Sequence, residues 1–108
     1  MLNVRNILVP TDCTERTRHA VRYATELAHQ FQSHLNLLYV VEGESGRHAE
    51  EAQTPLAHFW KTFFCECPCK LIVRSGEPCS EILGFALEEQ VDLIVMNMSR
   101  HRSLGTHF

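Results

Sequence analysis

Two kinds of hydrophobic pattern alternate along the chain. Short apolar runs at residues 4–9, 35–41, 71–73 and 92–96 are typical of strands in a sheet that is covered on both faces. Between them lie longer segments in which apolar residues recur every three or four positions, as they do in amphipathic helices. This order predicts an α/β fold, an open, doubly wound, mostly parallel sheet with helices on both faces.

Each predicted helix carries one apolar stripe. The first stripe contains Ala20, Val21, Ala24, Leu27, Ala28 and Phe31. The second contains Leu56, Phe59, Trp60, Phe63 and Phe64 and is expected in the core, and the third contains Ile82, Leu83, Ala86 and Leu87. Thr14 is the expected N-cap of the first helix, and Pro55 fits the first turn of the second, after a loop at residues 42–46. The final residues, 99–108, are predicted to form a loop or tail.

Composition narrows the class of protein. With 108 residues and 44% hydrophobic content, residues 1–108 are expected to form a single domain. The formal charge of -3 offers no broad basic surface for nucleic acid, and no apolar run is long enough to cross a membrane. The first residues do not form a secretory leader, so a cytoplasmic location is expected. Five cysteines without an extracellular cue favour reduced thiols over disulfides.

Five segments of the chain resemble the universal stress proteins, in the same order and at suitable spacing. They are Ile7-Leu8-Val9-Pro10-Thr11-Asp12, the segment 20–28, Leu37-Leu38-Tyr39-Val40-Val41, Val73-Arg74-Ser75-Gly76-Glu77-Pro78 and Asp92-Leu93-Ile94-Val95-Met96. The resemblance covers nearly all of residues 4–96. It implies the family's fold, with the last helix and strand of that fold missing. Family members commonly dimerise through that last strand. This chain would then associate differently, cover the open sheet edge with its tail, or be a fragment of a longer protein, and a homodimer is the favoured expectation.

The resemblance also implies a nucleotide site at the carboxyl ends of the strands, where parallel sheets bind ligands. Pro10, Thr11, Asp12 and Val40 would line the pocket for the adenine and ribose of ATP or AMP. In the nucleotide-binding branch a Gly-x-x-Gly loop follows the residue equivalent to Met96. Here its two glycine positions hold Asn97 and Arg100, which disfavours an ordinary ATP site because a Cβ hinders the close approach of backbone N–H groups to phosphate.

Two of these residues have alternative interpretations. Asp12 either binds ribose hydroxyls or stabilises the turn before the first helix through its own backbone. The side chain of Arg100 either binds a phosphate directly or fills the space where the phosphate would lie. If the family order of strands applies, Asp12 and Asn97 should face each other across the crevice.

The cysteines suggest a different chemistry. In an extended segment, Cys65, Cys67 and Cys69 would point to the same side, and three thiolates with one histidine would satisfy zinc. The spacing is unlike that of ordinary structural zinc sites, so reduced, partly buried thiols are favoured. Cys13 stands at the start of a helix, where the helix dipole can lower the pKa of a thiol.

Three functions follow from these observations. The first is a non-enzymatic stress-response or regulatory module that binds an adenine nucleotide or another anion through a degenerate site. The second is an ATP-binding protein with weak ATP hydrolysis. The third is a thiol-based metal or redox sensor that uses Cys65, Cys67 and Cys69. No catalytic residue can be assigned from the sequence.

Overall fold

The computed structural model describes residues 3–42, 46–64 and 68–97. The strands in these ranges are β1 (Asn6–Pro10), β2 (His34–Val41), β3 (Lys70–Ser75) and β4 (Leu93–Ile94). The helices are α1 (Arg18–Phe31), α2 (Gly46–Phe64) and α3 (Pro78–Glu88), and a 3-10 turn spans Glu15–Thr17. The strands form one parallel sheet in the order β3-β2-β1-β4, which confirms the predicted α/β fold. None of the described helices has the length and apolar character needed to cross a membrane.

The first strand is the centre of the molecule. β1 pairs with β2 on one side and with β4 on the other, so that Ile7 lies opposite both Leu35 and Leu93. Ile7, Leu8 and Val9 are fully buried. A central parallel strand is covered on both faces, which explains why this run is uniformly apolar.

The two faces of the sheet have separate cores. Ile7, Val9, Leu35 and Leu37 point to the face that α1 and α2 cover. The alternate residues Leu8 and Leu38 point to the opposite face and pack against Phe85 of α3. This alternation is the ordinary consequence of the two-residue period of a strand. Helices therefore cover both faces, as the sequence predicts.

The second helix is longer than the sequence pattern suggests. We expected residues 42–46 to be a loop and Pro55 to lie in the first turn, but α2 begins at Gly46 and Pro55 lies in its interior. Proline removes one backbone hydrogen bond from a helix. The helix continues because its apolar side chains are anchored on both sides of the proline. Among the described side chains of α2, the buried ones are Ala52, Leu56, Phe59 and Trp60.

The third helix buries only part of the predicted apolar face, since Ile82 and Ala86 pack against the core but Leu83 and Leu87 do not. Leu83 is 54% exposed and Leu87 is 81% exposed, so neither belongs to the core. Phe85 is buried instead, with Ile82 and Ala86 packed beside it. A helix with apolar residues on most of its surface offers several candidate faces, and the direction of the crossover from β3 to β4 decides which one meets the sheet.

The first helix starts later than predicted. Thr14 precedes the 3-10 turn, but its side chain makes no capping hydrogen bond, and α1 begins at Arg18. Its apolar stripe is otherwise as expected, with Ala20, Val21 and Ala24 buried. Phe31, in the last turn, is 39% exposed. Because α1 starts late, the 3-10 turn Glu15–Thr17 lies between the end of β1 and the helix.

Candidate functional site

A cleft of about 340 Å³ lies at the carboxyl ends of β1 and β2, between the residues that follow β4 and the start of α3. Its lining contains Pro10, Thr11, Asp12, Arg16, Thr17, Leu38, Val40, Glu42, Pro78, Ile82, Met96 and Asn97. All the described members of the predicted nucleotide site are in this set, namely Pro10, Thr11, Asp12, Val40, Met96 and Asn97. Arg100, the remaining member, lies outside the described residues. The carboxyl edge of the sheet is the usual place for a ligand in an α/β fold.

The floor of the cleft is a hydrogen-bonded turn built around Thr11. Its backbone N–H donates to the carbonyl of Leu38 at 2.8 Å, which continues the β1–β2 ladder past Pro10. Its hydroxyl accepts from the N–H of Cys13 at 2.9 Å and lies 2.7 Å from the hydroxyl of Thr17. Because the Thr17 hydroxyl donates to the carbonyl of Thr14, the hydroxyl of Thr11 must donate to Thr17. This buried pair fixes the 3-10 turn against the end of β1.

Asp12 is held by three donors. Oδ1 accepts from the backbone N–H of Thr14 at 2.9 Å and from the Thr14 hydroxyl, and Oδ2 accepts from Nη2 of Arg16 at 2.6 Å. Partial burial raises the pKa of Asp12, but the hydrogen bonds from Arg16 and Thr14 outweigh burial and leave the pKa below its ordinary value. The carboxylate is therefore charged at neutral pH. These contacts fit the turn-stabilising interpretation of Asp12, and they leave the ribose-binding interpretation a prediction.

Cys13 is not the activated thiol that its position suggests. Burial and, to a smaller extent, the neighbouring charge of Asp12 raise the pKa of Cys13 to about 11. The residue has a positive φ of 63° and precedes the 3-10 turn, so it is not inside the first turn of α1. The prediction of a lowered pKa was wrong because burial and a like charge act at close range, whereas the helix begins five residues later.

One wall of the cleft is apolar and comes from β2 and α3. Leu38 and Val40 stand on β2, and Ile82 and Pro78 stand on the first turns of α3. The turn at Gly76 directs α3 towards the cleft. The N–H of Gly76 donates to the carbonyl of Val41 at 2.9 Å, and the φ of Gly76, +144°, is a backbone conformation that residues with a side chain disfavour.

The opposite wall follows β4. The N–H of Val95 donates to the carbonyl of Leu8 at 2.9 Å, which extends the pairing beyond Ile94 and directs the chain towards the cleft. Met96 is 59% exposed, and Asn97 is partly buried. Asp12 and Asn97 line the same cleft because β1 and β4 are neighbours, as the family order of strands implies.

Sequence reasoning missed six residues that contribute to the cleft, which are Arg16, Thr17, Leu38, Glu42, Pro78 and Ile82. The hydrophobic pattern assigns Arg16 no role, because this residue lies outside the apolar stripe of the first helix. The signal that could have found it is the four-residue spacing from Asp12, which suits an ion pair on one side of a helical turn. Pro78 and Ile82 approach the cleft only through the crossover of α3, which no local pattern reveals.

The cysteine cluster stays untested. Cys65 and Cys67 lie outside the described residues, and Cys69 is half-buried just before β3, packed against the core. Within residues 3–42, 46–64 and 68–97, no group of three metal-ligating side chains comes together. The metal or redox sensor hypothesis therefore stays a prediction.

Solved structures with the same architecture include universal stress proteins. UspA from Lactobacillus plantarum is 26% identical, covers 95% of this chain with 86% of its own length, and superposes with a TM-score of 0.69. A universal stress protein in complex with cAMP is 16% identical over 86% of this chain and 72% of its own, with a TM-score of 0.72. One from Archaeoglobus fulgidus is 24% identical over 96% and 82%, with a TM-score of 0.66.

The sequence itself carries the same relationship. No curated protein sequence matches the chain. However, the sequence model of the universal stress protein family matches residues 3–63, which is more than half of the chain. The matched region includes β1, the Thr11–Asp12 turn, α1 and β2, and so it contains one side of the cleft. On this evidence the chain belongs to the universal stress protein family.

Proposed function

We propose that this chain binds an adenine nucleotide in the cleft at the carboxyl ends of β1, β2 and β4, and that it acts as a non-enzymatic stress-response or regulatory module. The main support is one observation. Residues from three separate parts of the chain, namely 10–12, 40 and 96–97, line a single cleft, as the family resemblance implied. Its volume of about 340 Å³ is at the lower end of the range for small-molecule pockets.

The chemistry of the walls suits a nucleoside. Leu38, Val40 and Ile82 offer an apolar surface against which a planar base can pack, with the exposed side chain of Met96 on the other side. Asp12 supplies a charged carboxylate that can accept hydrogen bonds from ribose hydroxyls. A member of the same fold is known in complex with cAMP, which is further support for an adenine ligand.

We propose binding without hydrolysis because the phosphate loop is altered. Asn97 occupies the first glycine position, and it carries a Cβ where backbone N–H groups would have to approach the phosphates closely. Weak ATP hydrolysis remains the alternative function, and it is measured in the same experiment. Homodimerisation and a cytoplasmic location stay predictions.

The test starts with native mass spectrometry of the purified protein, followed by calorimetric titration with AMP, cAMP, ADP, ATP and GMP. We expect one adenine nucleotide per chain and weaker binding of GMP. Val40→Trp should fill the apolar side of the cleft and weaken binding at least tenfold. His58→Ala, on the surface of α2 away from the cleft, is the matched control and should bind as the parent does.

Two results would overturn the proposal. Failure of every adenine nucleotide to bind at millimolar concentration would refute the nucleotide site, provided that circular dichroism shows a folded protein. Steady release of inorganic phosphate from ATP, abolished by Val40→Trp and retained by His58→Ala, would replace the binding module with a hydrolase.

A further inference from the structure

We propose that Arg16 is the phosphate-binding residue of this cleft, and that it makes the site selective for adenine nucleotides with a single phosphate over adenosine, ADP and ATP. This inference rests on the proposed nucleotide site and specifies the ligand class that the site takes. It concerns a residue of the 3-10 turn, far in sequence from the altered glycine positions.

The position of Arg16 follows from the local fold. The 3-10 turn Glu15–Thr17 is fixed against β1 by the hydroxyl pair of Thr11 and Thr17, and this places Arg16 on the rim of the cleft. Its side chain is 59% exposed, so the guanidinium has room to move. Among the described residues that line the cleft, Arg16 is the one with a permanently charged cation.

Asp12 and Arg16 form an ion pair with each other in this structure. Oδ1 of Asp12 is occupied by Thr14, and Oδ2 is occupied by Nη2 of Arg16 at 2.6 Å. Oδ2 accepts from one donor here and can accept a second, so a ribose hydroxyl that binds there shares this oxygen with the guanidinium. Adenosine brings no anion to Arg16, whereas the phosphate of a nucleotide arrives on the same sugar and can accept from the guanidinium N–H groups that Asp12 does not use.

The charge of the cleft limits the number of phosphates. Asp12 and Glu42 contribute two carboxylates, and the described lining offers only the guanidinium of Arg16 against them. One phosphate can pair with Arg16. A second and third phosphate add negative charge where carboxylates already outnumber cations among the described lining residues, so Coulomb repulsion should weaken the binding of ADP and ATP.

The N-terminus of α3 does not offset the negative charge of the cleft. A helix N-terminus ordinarily attracts phosphate because its backbone N–H groups are unpaired. Here the carboxylate of Glu77 accepts a hydrogen bond from the N–H of Ser80 at 2.7 Å, and its pKa is lowered by the backbone bonds it receives there. The anion position at this end of α3, beside Pro78, is thus filled by the protein itself.

The experiment is a set of calorimetric titrations with adenosine, AMP, ADP and ATP at fixed ionic strength and without divalent cations. The variants are Arg16→Gln, Arg16→Lys and the control Arg22→Gln, which removes the same charge from an exposed position on α1 outside the cleft lining. Thermal unfolding establishes that each variant is folded.

We expect the parent protein to bind AMP at least tenfold more tightly than adenosine or ATP. Arg16→Gln should weaken AMP binding at least tenfold while changing adenosine binding less than threefold, and Arg16→Lys should restore part of the loss. Tighter binding of ATP than of AMP, or equal effects of Arg16→Gln and Arg22→Gln on AMP, would refute the inference. If none of the four ligands binds, the proposed nucleotide site itself is refuted.

Discussion

Nη2 of Arg16 lies 2.6 Å from Oδ2 of Asp12, and this ion pair closes the turn that joins the central strand to the first helix. The other oxygen of the same carboxylate binds the backbone N–H and hydroxyl of Thr14. One side chain thus links the backbone of the turn to the rim of the cleft. A ligand that binds to Asp12 would share the carboxylate with contacts that stabilise this turn.

The first prediction concerns the pH dependence of this ion pair. Because the pKa of Asp12 is lower in the folded protein than its ordinary value of 3.8, the charged carboxylate stabilises the fold above that pH. The pair is substantially exposed to solvent, so Asp12→Asn should lower the free energy of unfolding at pH 7 by only ~0.5 kcal/mol. The difference should vanish as the pH falls through the folded-state pKa. Urea unfolding of both proteins between pH 2.5 and 7 measures it, and a difference that grows on acidification would contradict it.

The second prediction concerns the buried hydroxyl pair. Thr17→Val removes the acceptor of the Thr11 hydroxyl and the donor to the carbonyl of Thr14, and no water can easily replace them. We expect a loss of about 1–3 kcal/mol in the free energy of unfolding. Thr25→Val is the matched control, because its hydroxyl bonds at an exposed place to the carbonyl of Arg22. That change should cost less than about 0.5 kcal/mol, and equal effects of the two substitutions would show that burial of the pair contributes nothing.

The third prediction concerns the reactivity of Cys13. With a pKa of about 11, its thiolate fraction at pH 8 should be about a hundredth of that of an ordinary thiol with a pKa of 9.0. N-ethylmaleimide should therefore label Cys13 much more slowly in the folded protein than in urea. Peptide mass spectrometry follows the reaction, and the exposed Cys79 reports in the same sample that the reagent is active. Equal labelling rates of Cys13 in the folded and unfolded chain would contradict the prediction.

The fourth prediction compares two glycines. At Gly76 the φ of +144° strains any side chain, and a new Cβ would lie 2.9 Å from Oε2 of Glu81, so Gly76→Ala should cost about 1–3 kcal/mol. At Gly84, inside α3, a Cβ meets nothing within 4 Å, and Gly84→Ala should stabilise the protein by up to ~1 kcal/mol. Urea unfolding distinguishes them. A Gly76→Ala protein as stable as the parent would mean that the turn before α3 relaxes without loss.

The elements that could be predicted from the sequence are those whose signal is local. Largely apolar runs identified the strands, since a parallel strand inside a sheet is covered on both faces. The stripe of Ala20, Val21 and Ala24 identified the first helix for a similar reason, because its polar and apolar faces are clearly separated. Phe59 and Trp60 were correctly expected in the core.

The errors arose where a local preference met a stronger tertiary contact. Proline favours the first turn of a helix, yet Pro55 lies inside α2, because Leu56 and its buried neighbours hold the helix against the sheet. On α3 the sequence offered Leu83 and Leu87 as core residues, and the sheet selected Phe85 instead. Propensity is worth fractions of a kcal/mol per residue, whereas burial of one large side chain is worth about 1.5–3 kcal/mol.

By itself the sequence determined the parallel α/β fold, the place where the first strand ends and the residues of the candidate cleft that lie near strand ends. Only the tertiary structure decided that Arg16 reaches Asp12, that Pro78 and Ile82 form a wall, and that Cys13 has a raised pKa. The physical reason is that periodicity records which side chains avoid water, while the charge and shape of a site depend on neighbours that the crossover connections bring together.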